Sequence, residues 1–241
     1  MRQAADGAKS ISLELGDKSP VIILPGVDMS DKMLDAHLGY LYNAGQSCGA
    51  TTRIILPQSD YDEFIERSQE VFANAVIGDP WDPSTLVGPL IRREHRDGIL
   101  AKVDRALSEG ARIVASGSSV QELPGWYMSP LLLGNVDPHS MIAQNELFGP
   151  VGVILPYRDV DEAVEIADDI AYGLNAKIFS NDVESGLDVA ARLRTGSVQI
   201  NGGGFRPDAP FGGMKASGIG REYGDWGINE FSEFQHVQWA V

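Results

Sequence analysis

The chain has 241 residues, 43% of them hydrophobic and 22% charged, which is the composition of an ordinary globular protein able to bury a sizeable core. Its 19 Lys and Arg against 34 Asp and Glu give a net charge of -15, which argues against nucleic acid and anionic membranes as partners. A single cysteine excludes an internal disulfide, and neither a signal peptide nor a membrane-spanning run is visible, so we expect a cytoplasmic protein.

Short runs rich in β-branched residues recur along the chain. They are continuously apolar rather than alternating, which predicts strands covered on both faces. The runs are 21–24, 53–56, 112–115, 151–155, 176–179 and 197–200. A further apolar segment, 234–241, is predicted to form a closing strand after a short helix within 221–231.

Amphipathic helices are predicted between these strands. A helix in 59–76 places its larger apolar side chains on one face, and Asp60 followed by Glu63 indicates a capping box at its start. A second helix in 159–167 has Val160, Ala163, Val164 and Ala167 at helical spacing. The alternation of strands and helices predicts a mostly parallel sheet with helices on both faces.

The segment NAGQSCGA, 43–50, holds the only cysteine, Cys48. It follows a predicted helix whose apolar face is marked by Leu34, Leu38 and Leu41. Cys48 is either a small buried hydrophobe or a nucleophile, and a nucleophile needs a local device that favours the thiolate over a thiol of pKa about 8.5. The flanking glycines leave backbone N–H groups free to stabilise an oxyanion.

No histidine is an evident base for Cys48. His37 lies off the leucine face of the preceding helix and is predicted to be solvated, and His95 lies in a charged stretch. A Cys-His hydrolase is therefore unsupported by the pattern. No His or Cys residues cluster at metal-ligand spacing, so no metal site is expected.

Two glutamates lie in apolar surroundings. Glu14, between Leu13 and Leu15, is either a strand-edge residue facing water or a partly buried base with a raised pKa. Glu146 immediately precedes a predicted strand. The glycine-rich stretch 201–220 reads as a functional loop or a linker, and no part of the chain matches a phosphate-binding loop.

Four motifs appear in a fixed order: LELGDKSP at 13–20, GQSC at 45–48, ELFGPV at 146–151 and PFGGMKASGIGRE at 210–222. Their order and spacing resemble those of the NAD(P)-dependent aldehyde dehydrogenase superfamily over nearly the whole chain. The resemblance implies oxidation of an aldehyde to a carboxylic acid through a thiohemiacetal and a thioester. It also implies that Glu14 favours hydrolysis of the thioester, since branches that transfer the acyl group to coenzyme A usually lack this glutamate.

The resemblance also implies roles for individual residues. Cys48 matches the nucleophile and Glu14 the base that activates water for hydrolysis of the thioester. On the cofactor side, Glu146 matches the acid that would hold the nicotinamide ribose. Leu15, Gly16 and Phe148 match residues beside the cofactor. Phe211 matches a residue near the substrate entrance or a core position, and Glu233 matches either a proton-relay acid or a structural glutamate.

The sequence departs from the family pattern in two ways. Asp17 stands where the family usually has glycine, and it would either raise the pKa of Glu14 by repulsion or point to solvent. The cofactor-binding domain that normally precedes the glutamate motif is largely absent, so we expect the C-terminal half of such an enzyme, with NAD or NADP not fully bound by this chain alone.

The expected fold is therefore a three-layer, mostly parallel α/β thiol domain. Residues 1–16 would be the last segment of the cofactor-binding domain, 17–215 the catalytic domain, and 216–241 a return segment with an oligomerisation strand that makes a homo-oligomer. Two other functions remain open from the sequence: the isolated chain acts as a weak thiol esterase, or it is a non-catalytic oligomerisation fragment.

Overall fold

The computed structural model describes residues 1–240. Their strands are β1 (Leu13–Glu14), β2 (Ser19–Ile23), β3 (Thr51–Pro57), β4 (Arg112–Ser116), β5 (Leu131–Gly134), β6 (Val151–Tyr157), β7 (Asn175–Phe179), β8 (Ser197–Ile200) and β9 (Gly218–Ile219). Their α-helices are α1 (Arg2–Ala5), α2 (Met33–Leu41), α3 (Tyr61–Asn74), α4 (Arg93–Ser108), α5 (Met141–Gln144), α6 (Val160–Asp168), α7 (Val183–Arg192) and α8 (Gly224–Asn229). None of these helices is both long and apolar enough to cross a membrane.

A seven-stranded sheet forms the centre of the fold, with the strand order β4-β5-β6-β3-β2-β7-β8. Every neighbouring pair is parallel except β4 and β5, which are antiparallel. Strands β1 and β9 make a separate two-stranded antiparallel sheet. The predicted mostly parallel α/β architecture is confirmed.

Helices α2 and α6 lie on opposite faces of the sheet. A Cβ placed on Gly152 would meet the ring of Tyr40 of α2. The neighbouring residue Val153 is in register with Arg53, whose side chain reaches α6. Because adjacent residues of a strand point to opposite faces, the sheet is covered on both sides. This is the expected three-layer arrangement.

Arg53 is the largest fully buried side chain of the sheet. Its guanidinium donates to the carbonyls of Lys18, Ile166 and Ala167 over 2.7, 2.8 and 2.8 Å. The last two carbonyls belong to the carboxyl end of α6, where helix carbonyls lack partners. A buried charge is tolerated when its donors are satisfied in this way, and the contact ties β3 to the end of α6.

The strand predictions fail at the edges of the sheet. Strand β4, predicted to be covered on both faces, is an antiparallel edge strand that is largely exposed because a neighbour pairs with it on one side only. Strand β5 and helices α4 and α7 were not predicted. The strand predicted for 234–241 is absent from 234–240, where no neighbouring strand takes the backbone hydrogen bonds. Phe234 and Trp239 in this segment are 94% and 79% exposed. Val241 lies outside the described residues.

The capping box predicted at Asp60 and Glu63 is wrong. Asp60 already has helical backbone angles, φ -100° and ψ -1°, whereas an N-cap side chain needs an extended backbone. Its carboxylate accepts from Ser59 Oγ, and Glu63 pairs with Arg67. Helix α6, in contrast, is capped by Asp159, which accepts the N–H of Glu162 over 2.9 Å.

Candidate functional site

The candidate site lies at the amino-terminal ends of the parallel strands. Glu14 precedes β2, Cys48 precedes β3, and Glu146 and Phe148 precede β6. Because β2, β3 and β6 run in the same direction, the loops in front of them meet at one edge. The structure thus brings together residues that are more than a hundred positions apart in the chain.

A sharp turn between α2 and β3 presents Cys48. Asn43, Ala44 and Gly45 have φ values of 50°, 52° and 68°, which end the helix. A side chain at Gly45 would overlap the carbonyl of Gly149, so glycine is required where this loop touches the loop before β6. The close approach fixes the cysteine loop against the segment that carries Glu146.

The thiol of Cys48 is open to solvent on one side. Partial desolvation on its protein side raises its pKa above the usual value, and the negative charges of Glu14 and Glu146 add to this effect. The backbone N–H groups of Gly49 and Cys48 act against it by hydrogen bonding to the sulfur. A catalytic thiol needs a local device that favours the thiolate, and these two donors are outweighed by desolvation in this chain.

Glu14 is half-buried at the start of the site. Burial raises the pKa of its carboxyl group, the N–H of Gly213 lowers it, and the negative charge of Glu222 raises it again. The Gly213 N–H donates to Oε1 over 3.3 Å, whereas the buried Oε2 has no hydrogen-bond partner among residues 1–240. A carboxylate with a raised pKa and a free oxygen has the properties of a general base.

Glu146 faces the turn that follows Glu14. Its Oε1 accepts the N–H of Asp17 over 3.2 Å, and a side chain at Gly16 would overlap its carboxylate. Burial raises the pKa of Glu146, and the N–H of Asp17 lowers it. Leu15, beside this turn, is 46% exposed.

Phe148 is held in a strained backbone conformation with φ 56°. Its carbonyl accepts a hydrogen bond from His95 Nε2 over 2.7 Å, and the two rings meet edge to face at 6.3 Å. The Phe148 side chain is 37% exposed. The sequence showed only that His95 lies in a charged stretch. In the structure, His95 supports the loop before β6.

Phe211 precedes Gly212, where an added Cβ would meet Oε1 of Glu14. Its backbone exchanges two hydrogen bonds with Glu222, over 2.8 and 2.6 Å. Its ring packs edge to face with Phe205 at 6.3 Å and with Tyr223 at 6.1 Å. These three partly exposed rings form an aromatic surface next to the segment that holds Glu14.

Glu222 is the acid that sequence reasoning missed. It is the carboxylate whose charge acts on Glu14, whereas Glu233 is exposed and the structure records no contact between it and the site. The signal was present in the sequence, because Glu222 ends the PFGG-containing motif. Its proximity to Glu14 depends on the pairing of β1 with β9, which no local pattern reveals.

Both expectations for Asp17 are wrong. The side chain is 5% exposed and accepts hydrogen bonds from Ser19, Asn175 and Ser217. Its charge raises the pKa of Glu146 rather than acting on Glu14. Asp17 therefore ties together the loops beneath the site.

The prediction that His37 is solvated is also wrong. His37 is fully buried, with Nδ1 2.5 Å from Tyr40 Oη and Nε2 2.9 Å from Ser68 Oγ. Desolvation lowers its pKa to about 3. The predicted leucine face is only partly right, since Leu41 is fully buried but Leu34 is 50% exposed. No group of three metal-ligating side chains comes together within 1–240.

Comparison with known proteins identifies relatives that match nearly the whole length of this chain. A model of the aldehyde dehydrogenase family matches residues 1–237. A Staphylococcus saprophyticus protein assigned to the aldehyde dehydrogenases is 40% identical over 239 residues, which is 98% of this chain and 50% of that protein. The chain thus spans about half the length of the curated relatives it matches.

Solved structures show the same similarity. A Mycobacterium tuberculosis aldehyde dehydrogenase in complex with NAD+ has a TM-score of 0.93 and 39% identity, covering 96% of this chain and 48% of that one. Aldehyde dehydrogenase C from Pseudomonas syringae, a mutant solved with NAD+ and octanal, has a TM-score of 0.91 and 38% identity, covering 95% and 48%.

Proposed function

The chain belongs to the aldehyde dehydrogenase family, and on that premise we propose that it supplies the thiol-bearing half of an enzyme that oxidises an aldehyde to a carboxylic acid with NAD or NADP. The observation that carries this proposal is the meeting of Cys48, Glu14 and Glu146 where the parallel strands begin, close enough for the charges of both glutamates to act on the thiol. In this proposal 1–16 end the cofactor-binding domain, 17–215 form the catalytic domain, and 216–241 return toward the cofactor domain.

The residues present fit one side of a nicotinamide cofactor. Glycine at position 16 leaves room beside the Glu146 carboxylate, which a side chain would fill. Glu146 would accept hydrogen bonds from ribose hydroxyls, with Leu15 and Phe148 as apolar neighbours. When bound, the nicotinamide accepts the hydride that leaves the substrate carbon, and the rest of its site lies outside this chain.

Cys48 forms the covalent bond to the substrate. Its sulfur, as the thiolate, adds to the aldehyde carbon and the carbonyl oxygen becomes an oxyanion. The backbone N–H of Cys48 is one donor that can stabilise this charge. Loss of hydride from the same carbon leaves an acyl thioester on the sulfur.

Glu14 completes the reaction by activating water. Its carboxylate accepts a proton from water, the hydroxide adds to the thioester carbonyl, and the Cys48 thiolate leaves to release the carboxylic acid. The raised pKa of Glu14 suits this role, and its buried Oε2 has no hydrogen-bond partner within the described residues. The glutamate favours hydrolysis over transfer to coenzyme A, and dominant acyl transfer to coenzyme A without free acid would contradict this step.

The activity test uses the complete protein that carries this chain. We expect aldehyde-dependent NADH or NADPH formation, which Cys48→Ser abolishes and Glu14→Gln reduces at the hydrolytic step. A burst of reduced cofactor followed by a stalled acyl enzyme in Glu14→Gln would separate the two roles. Unchanged turnover in Cys48→Ser would overturn the proposal.

The isolated chain offers a second candidate activity, weak thiol esterase. Cys48 and Glu14 are both present in it, and the thiol is accessible. Hydrolysis of p-nitrophenyl acetate that is lost in Cys48→Ser supports this activity, and its absence removes it. A non-catalytic role would leave neither activity in any assembly.

We also propose that the protein forms a homo-oligomer in the cytoplasm. Strand β8 pairs only with β7 within the described residues, so one edge of it is free to accept a strand. Phe231, Phe234 and Trp239 in the following segment are 93%, 94% and 79% exposed. Native mass measurement of the complete protein would test assembly, and a monomer at micromolar concentration would contradict it.

A further inference from the structure

Lys18, four residues after Glu14, is a charged side chain in an unusual position. It is 1% exposed and is one of the largest fully buried side chains in the protein. Its Nζ has no hydrogen-bond partner among the described residues and is in no ion pair. A buried ammonium group without a partner is costly, and either loss of its proton or a nearby opposite charge reduces this cost.

The charged groups that act on Lys18 come from three different elements. They are Arg53 on β3, Lys102 on α4 and Glu146 in the loop before β6. Two of them are positive, and Glu146 is the negative one. Asp17 is adjacent in sequence, but its oxygens accept from Ser19, Asn175 and Ser217.

The backbone around Lys18 also leads to Glu146. The N–H of Asp17, the preceding residue, donates to Glu146 Oε1 over 3.2 Å, and the carbonyl of Lys18 accepts from buried Arg53 over 2.7 Å. Both sides of the Lys18 peptide are therefore anchored. The ammonium group, buried with the rest of its side chain, acts on Glu146 through space in a medium that screens charge poorly.

We propose that Lys18 is a positioning residue for Glu146, whose buried positive charge keeps the neighbouring carboxylate ionised and directed toward the main chain of Asp17. Burial alone would favour the neutral, protonated form of Glu146, which accepts the N–H of Asp17 more weakly than the carboxylate does. Lys18 opposes this tendency. Its importance for cofactor binding rests on the proposed function, but the coupling between the two side chains does not.

The pair responds to pH in the neutral range. Burial and the charge of Arg53 lower the pKa of Lys18 to about 7, and the charge of Glu146 acts in the opposite direction. For Glu146, burial raises the pKa, the N–H and the charge of Asp17 act in opposite directions, and Lys18 and Lys102 lower it. When Lys18 loses its proton, Glu146 therefore loses a stabilising charge.

The test follows the carboxylate directly by NMR of the chain labelled with ¹³C at glutamate Cδ. The Glu146 signal is assigned by its loss in Glu146→Gln. In the unmodified chain we expect this signal to move in two steps, one for its own ionisation and a smaller one near pH 7 as Lys18 titrates. In Lys18→Met we expect the second step to disappear and the first midpoint to rise.

Lys102→Met is the matched control, because Lys102 also acts on Glu146 but is exposed to solvent. Its removal should leave both steps in place, with a smaller change in the midpoint. A single step in the unmodified chain overturns the proposal even if Lys18→Met fails to fold, and so does an unchanged midpoint in a folded Lys18→Met. Neither readout requires dehydrogenase activity, so failure here is distinct from failure of the proposed function.

Discussion

The backbone N–H of Asp17 donates to the carboxylate of Glu146 over 3.2 Å and joins the loop before β2 to the loop before β6. This bond holds Glu146 beside the turn that carries Glu14, and both carboxylates raise the pKa of Cys48. The ionisation of Cys48 therefore depends on both glutamates. Removal of either negative charge is expected to lower the pKa of the thiol.

The reactivity of Cys48 should report these charges. Because the pKa of the thiol is raised from 9.0, alkylation by iodoacetamide should still accelerate with pH up to pH 9. Glu146→Gln and Glu14→Gln each remove a negative charge that raises the pKa of the thiol, so each should increase the rate at pH 8 by enlarging the thiolate fraction. Glu233→Gln is the control and should have no effect. A rate that already levels off by pH 8 would contradict the raised pKa.

Mutation can separate the effects of Glu222, whose charge acts on Glu14, and Glu233, the relay acid suggested by the resemblance. The charge of Glu222 raises the pKa of Glu14, so Glu222→Gln should lower it. In ester hydrolysis, or in the deacylation step of the complete enzyme, the acid limb of the pH profile should then move to lower pH. Glu233→Gln should leave the limb in place, because Glu233 is exposed away from Glu14. A shift in Glu233→Gln alone would support the proton-relay role for Glu233 over the structural one.

Two glycines provide a matched test of the turn beside Glu146. A Cβ at Gly16 would overlap the Glu146 carboxylate, so Gly16→Ala should displace it and break the Asp17 bond, at a cost of roughly 1–3 kcal/mol in the free energy of unfolding. Gly98 lies in α4 with nothing within 4 Å of an added Cβ, so Gly98→Ala should stabilise by about 0.5–1 kcal/mol. Urea unfolding of both variants measures this contrast, and equal effects would refute it.

His37 should make the fold sensitive to acid. Its pKa is about 3 in the fold against 6.5 for the exposed group, so the unfolded chain binds a proton that the folded chain does not. The resulting contribution is absent above pH 6.5 and destabilises progressively between pH 6.5 and 3, by roughly 3–5 kcal/mol in all. His37→Gln should remove this part of the acid slope in urea unfolding at several pH values. His236→Gln, in the exposed segment, should leave the slope unchanged.

The central strands could be predicted from the sequence because each is a continuous apolar run between turns, as in Val151–Tyr157. The antiparallel pairing of β4 with β5 could not, since an apolar run does not show which neighbour it has or whether it lies at an edge. The buried face of α2 was missed for a related reason. A histidine counts as polar in a helical pattern, whereas Tyr40 and Ser68 satisfy both nitrogens of His37 within the core.

For the candidate site, the order of the motifs was enough to predict which residues take part. The charges and hydrogen bonds that act on them could be seen only in the structure. The sequence indicated Glu14, Cys48 and Glu146, but not that Glu222 adjoins Glu14 or that Asp17 supports Glu146. These contacts join segments separated by 129 residues in one case, and local periodicity contains no information at that distance. The burial of Lys18 was likewise invisible, because lysine is normally exposed.

The pairing of β2 with β7 has a consequence for biosynthesis. Val21 pairs with Lys177, and buried Arg53 needs carbonyls at Ile166 and Ala167, so the middle of the sheet is completed late in translation. At about 5–20 residues per second, one side of β2 waits roughly 8–30 s for its neighbour on the ribosome. During that interval the nascent chain exposes an apolar strand edge and a guanidinium without acceptors. We therefore expect chaperones to bind the nascent chain at this stage.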